Sequence, residues 1–236
     1  MKKLLSWLLA GAVLAPAVLS AASFEGKVNF KMTSARGKPQ EMRYSIKGDK
    51  IRIELPGQKE MGGLIMDTTK KETTVLMDEQ QMYMVMAMPA AAAAKQTPKA
   101  GEETKLEKTG EKEKILGYLA EKFVATDQKS KTELWLAEGL GSFIGASSAG
   151  PMGGKPGSGP APQAWERALA GKDLFPLRVV TRDQGGKENF RLEATEIEKQ
   201  TLSAALFAPP PGYQKLDMGG MMQGMPGIPG LPGRRP

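Results

Sequence analysis

The chemistry open to this chain is carried first by sulfur. Met82, Met84, Met86 and Met88 occupy alternate positions of QMYMVMAM at 81–88, so in a strand, whose side chains alternate between faces, they share one face. Thioethers on flexible arms fill irregular gaps in a core, which is their plainest use; they also form a deformable wall for an acyl chain or a soft surface for copper. Met218, Met221, Met222 and Met225, in DMGGMMQGMPGIPGLPGRRP at 217–236, are spaced so that several thioethers could converge on Cu(I) or Ag(I). A low-complexity tail is the plainer reading of that segment. Trp135 and Trp165 are large apolar anchors, suited to a core or to the wall of a cavity against which a ligand stacks.

The chain contains no Cys and no His. Disulfides, thiolate metal sites, iron–sulfur clusters, thiol nucleophiles and imidazole bases or ligands are therefore excluded. Carboxylate pairs, a Ser–Lys arrangement or a depressed Lys remain for catalysis, and none has a signature here. Glu133 and Asp67 are candidates by position only, with a solvated strand face as the plainer role, so no enzyme is expected and no cofactor is implied. The formal charge is +7, part of it on Lys2 and Lys3. Acidic and basic residues alternate and no basic run is interleaved with aromatics, so nucleic acid is not an expected partner.

The segments that must position these residues begin after an export signal. Lys2 and Lys3 precede an apolar run from Leu4 to Leu19, and Ser20 and Ala22 supply the small residues of a cut after Ala22. The run holds Pro16 and is shorter than a membrane span requires. Residues 1–22 are thus expected to be a cleaved signal peptide, leaving a periplasmic or secreted protein with no permanent membrane span.

From Phe24 the pattern is period two: Val28, Phe30 and Met32 against Lys27, Asn29, Lys31 and Thr33, then Met42, Tyr44 and Ile46 against Arg43, Ser45 and Lys47. Six strands in a meander reach Met88, the last of them expected to be covered on both faces. Residues 89–104 read as a surface linker. Ile115–Ala137 reads as two strands joined at Gln128–Lys131, with Gly117 inside the first, and is expected at the centre of the sheet. Residues 138–161 read as a mobile Gly/Pro loop, Pro162–Ala170 as a short helix closed by Gly171, and Leu202–Phe207 as a helical turn. Two further strands fall at 175–180 and 188–197, and 217–236 is expected to be disordered. The fold class is mainly β: residues 23–216 form a single large curved antiparallel sheet, a half-barrel of about ten strands with one or two short covering helices.

GKVNF at 26–30, YSIKGDKIRIE at 44–54, IMD at 65–67, TGEKEKILGY at 109–118, ELWLAEGLG at 133–141, FPLR at 175–178 and LFAPPPGYQ at 206–214 together resemble the bacterial domain-of-unknown-function 4412 family. That family has no assigned activity, so the resemblance transfers no catalytic residues. The layout is also similar to the lipoprotein-carrier (LolA/LolB-like) half-barrel superfamily, which implies a sheet holding an acyl chain beneath helices. Those carriers place a helix before the first strand, whereas here the first strand follows the expected cut directly; helix cover must come from Glu138–Gly171, or the concave face is simply filled. The functional expectation is an exported, non-enzymatic binding or carrier protein for a lipid or other hydrophobic molecule, with Met82, Met84, Met86, Trp135 and Trp165 as ligand-binding candidates. The alternative is an envelope structural or protein-interaction module, with the Met-rich tail as a tether or soft-metal segment.

Overall fold

The computed structural model describes residues 24–35, 37–57, 62–88, 104–127, 130–145, 164–169 and 171–216. The alternating first half folds as β1 (Glu25–Ser34), β2 (Gln40–Lys47), β3 (Lys50–Glu54), β4 (Gly63–Asp67), β5 (Glu72–Met77) and β6 (Met82–Ala87). The second half supplies β7 (Lys105–Ile115), β8 (Tyr118–Thr126), β9 (Ser130–Ala137), a six-residue helix α1 (Ala164–Leu169), β10 (Phe175–Asp183) and β11 (Glu188–Lys199). A 3-10 turn (Ala204–Phe207) and β12 (Gln214–Lys215) follow. All twelve strands join one open sheet in the order β12-β6-β5-β4-β3-β2-β1-β11-β10-β9-β8-β7.

Several expectations are corrected. Among the described residues there are twelve strands rather than about ten, and the sheet is mixed, because β12 pairs in parallel with β6. Leu116 and Gly117 lie in no strand: their φ values of 48° and 90° form the two-residue turn between paired Ile115 and Tyr118, the geometry that suits a tight hairpin. Charged residues 105–114 are consequently a strand, and Ile115–Ala137 lies beside one edge of the sheet. The antiparallel pairing of β1 with β11 lies nearer the centre, with six strands on one side and four on the other. Gly26 is needed there, since a Cβ at that position would collide with the backbone carbonyl of Glu198.

The sheet curls. Tyr44 on β2 and Phe175 on β10 stand three strands apart in the sheet order, about 14 Å on a flat sheet, yet their rings lie 5.5 Å apart. The inner face thus formed is filled by the chain itself. Gly139 and Gly141, with φ of 80° and 81°, turn the chain after β9 over that face, and bury Leu140 and Phe143. Phe143 stacks on Tyr44 at 5.5 Å and on Trp165 of α1 at 5.9 Å. The Tyr44 hydroxyl accepts from the Ile144 N–H at 3.0 Å and donates to its carbonyl at 3.4 Å; burial raises its pKa, so it keeps the proton it donates. Residues 138–145 are therefore a packed plug, not the opening of a loose loop, because Gly139 and Gly141 admit the turn and buried Leu140 and Phe143 reward it. The remainder of the expected 138–161 loop lies outside the described residues, as do the signal segment 1–22, most of the 89–104 linker and the 217–236 tail.

On the outer face the chain leaving β11 crosses β1–β6 as a strap. Glu25 accepts from Lys47 and from the Leu202 N–H, both at 2.6 Å, and Arg52 donates to the Leu206 carbonyl at 3.0 Å. Leu202 and Phe207 pack with Ile65 and Leu76 in a small outer cluster. As expected, the 202–207 region forms a turn beneath the sheet. Replacing Gly26 with Ala should lower stability by about 1–3 kcal/mol through overpacking against main chain, read as a reduced urea midpoint with an unchanged slope.

Candidate functional site

The inner face has two chemically different ends. At one, Phe30, Tyr44, Phe143, Phe175 and Trp165 form a closed aromatic cluster. At the other, the register of β4, β5 and β6 sets out cross-strand rows: Met66–Thr73–Met86, Leu64–Val75–Met84, and Met77 facing Met82. Met66 and Thr73 are buried, while Met77, Met82, Met84, Met86 and Met88 are half-buried. Met86 and Met88 pack on the main core; Met77, Met82 and Met84 belong to neither apolar cluster. The expectation that β6 is covered on both faces is met in part: Met82, Met84 and Met86 on one face and Tyr83 and Val85 on the other are all half-buried. Thr73 Oγ1 is buried with no hydrogen-bond partner.

The five ligand candidates do not form one site. Met82, Met84 and Met86 share the inner face of β6. Trp135 is on the outer face, paired in register with Lys122 and Arg178, whose cationic groups lie 5.8 and 6.0 Å from its ring centroid. Trp165 is 2% exposed and stacked on Phe143, so its ring is turned into the protein's own core. Sequence reasoning missed Met77; the four-residue turn Asp78–Gln81 carried the signal, since a hairpin of that length sets Met77 opposite Met82. Glu133 and Asp67 stand six strands apart in the sheet order and make no pair. Asp67 accepts from the Lys70 N–H at 2.8 Å in a turn. Met218, Met221, Met222 and Met225 lie outside the described residues.

Around Trp135 the outer face is an ionic ladder. Arg178 bonds Glu113 at 2.9 Å and Glu193 at 3.1 Å, and its guanidinium is held charged chiefly by Glu113. Lys122 meets Glu111 at 3.2 Å. Arg191 bonds Glu188 at 2.8 Å and lowers the Glu188 pKa below the usual carboxylate range. A depression of about 440 Å3 is lined by charged and polar residues, among them Lys31, Glu41, Arg43 and Thr195, together with apolar Phe30, Pro39 and Met42. Among the described residues no three His, Cys, Asp or Glu gather as metal ligands, and no helix is long and apolar enough to cross a membrane.

An open, curled sheet whose inner face is partly filled by a loop and a short helix is a β half-barrel. The chain belongs to the family described as a domain of unknown function, DUF4412, whose model matches residues 24–213. No curated protein sequence matches it. Solved structures with a similar layout include an uncharacterized conserved protein from Thermus thermophilus, at 15% identity and TM-score 0.47, covering 81% of this chain and 90% of that one. A LolA superfamily protein from Nitrosomonas europaea is 15% identical with TM-score 0.31, covering 84% and 98%. A chain of the Pseudomonas aeruginosa MucA/MucB complex is 11% identical with TM-score 0.43, covering 80% of this chain and 56% of that one.

Two outcomes follow from this chemistry. Thr73→Val removes an unpaired buried hydroxyl while keeping the side-chain shape, and should raise stability by about 1 kcal/mol in urea unfolding. For Glu188, a lowered folded-state pKa means stabilisation that is present above its ordinary value of 4.5 and lost as pH falls through the lowered one. Glu188→Gln should therefore lower stability at neutral pH and flatten the acid limb of a stability–pH profile below that value.

Proposed function

We propose that the protein is an exported, non-enzymatic binding module that holds a hydrophobic molecule, such as an acyl chain, against the methionine end of its inner face. One observation carries this reading: the aromatic end is stoppered by Leu140, Phe143 and Trp165, whereas at the other end a row of thioethers is left only half-buried. A methionine surface adapts to chains of varied shape at little cost in strain. The unpaired Thr73 hydroxyl beside Met86 offers a hydrogen bond to the polar end of such a molecule. The apolar run and small-residue cut at 1–22 support a periplasmic or secreted location, and the lack of His and Cys supports a binding rather than a catalytic role. The carrier activity of lipoprotein-sorting proteins is one form this function would take.

Native mass spectrometry of the full chain purified from its compartment tests the proposal. The expected result is an adduct that organic extraction removes, that persists in Trp135→Ala on the outer face, and that is lost when Met84→Asp places a charge on the inner one. An empty protein throughout, or an adduct unaffected by Met84→Asp, sinks it.

A further inference from the structure

We infer that Met77, Met82 and Met84 form a binding site for a soft monovalent cation, Cu(I) or Ag(I). The hairpin register supplies the geometry. Met77 and Met82 face each other across the β5–β6 pair, and Met84 follows two residues along on the same face. Facing residues have Cβ atoms about 5 Å apart, and residues two apart on one strand are separated by about 7 Å. Each side chain carries its sulfur on a flexible, unbranched arm, so three thioethers can converge on one ion.

Among the described residues, neither apolar cluster accounts for these three. Met66, Met86 and Met88 are held by the main core, but Met77, Met82 and Met84 are half-buried and join neither apolar cluster. They are also within reach of an ion arriving from solvent. The donor set decides which ion. Neutral thioethers suit Cu(I), whereas calcium and magnesium require oxygen ligands. No cluster of harder ligands competes among the described residues. The carboxylate of Asp78, in the adjoining turn, is engaged by the Tyr213 hydroxyl at 2.7 Å. The site stands independently of the apolar-ligand reading, since it needs the sulfur atoms and not merely their apolar surface.

That difference shapes the experiment. The full chain is titrated with Ag(I), and with Cu(I) under reductant against a chromogenic Cu(I) chelator, while the methionine methyl signals are followed by NMR. Expected are one strong site and shifts of three methyl signals, assigned to Met77, Met82 and Met84 by single substitutions. The double variant Met82→Leu/Met84→Leu conserves volume and apolarity, and should weaken binding by roughly tenfold or more while keeping the unfolding midpoint and any apolar adduct. A parent chain that carries no apolar adduct yet binds one ion through these three sulfurs supports this inference and sinks only the apolar reading. A variant with Leu at 218, 221, 222 and 225 should bind as the parent does. Unchanged affinity in the double variant, or loss of the strong site in the tail variant, overturns the inference. If the double variant fails to fold, the parent's methyl shifts decide alone, and shifts confined to other methionines overturn it.

Discussion

The curl of the sheet depends on aromatic rings that meet across strands distant in its order. Tyr44 and Phe175 touch although β1 and β11 lie between their strands, and Phe143 enters from a loop to contact both. Edge-to-face and stacked rings add about 0.5–1.5 kcal/mol each beyond the area they bury, and the Tyr44 hydroxyl anchors the loop main chain at Ile144. A twelve-stranded sheet without this knot would have no reason to bring its two wings together. The inner face exists as an enclosed surface because those rings draw it in, and the plug and α1 pack where they do because the rings give them a partner.

Much of this was legible from period-two alternation alone. β1 to β6 declare themselves because one face is buried and the other is wet, and the 202–207 turn and the helix before Gly171 carry their own end signals. β7 did not declare itself. KLEKTGEKEKI has polar residues on both faces, as an edge strand exposed at most positions permits, and only its pairing with β8 reveals it. Gly117 read as a strand interruption when its positive φ served a turn. The β1–β11 pairing lies beyond any local pattern, since nothing in either strand names the other. For the site, the methionine ladder was visible, whereas Met77 required the hairpin register. The burial of Trp165 and the outward placement of Trp135 depended on bulges and loop paths that no spacing encodes.

The two faces divide labour. Outside, Arg178, Arg191, Glu113, Glu188 and Glu193 interlock around Trp135, a surface that is solvated and self-satisfied. Exposed pairs of this kind contribute little individually. Inside, the face grades from rings to thioethers, from a packed end to one with unspent valence in its sulfur atoms and in Thr73.

The pairing of β1 with β11 also has a consequence for biosynthesis. A chain made from its N-terminus presents Glu25–Ser34 early, but the neighbour that covers its free edge, Glu188–Lys199, is among the last segments to emerge. Throughout elongation the first meander holds an open edge of unpaired backbone N–H and C=O groups, and non-local pairing of this kind closes slowly. A nascent or clipped chain ending before Glu188 remains an incomplete sheet, recognisable to chaperones and proteases by that bare strand. Completion of synthesis is thus coupled to burial of the residue stretch with which folding begins.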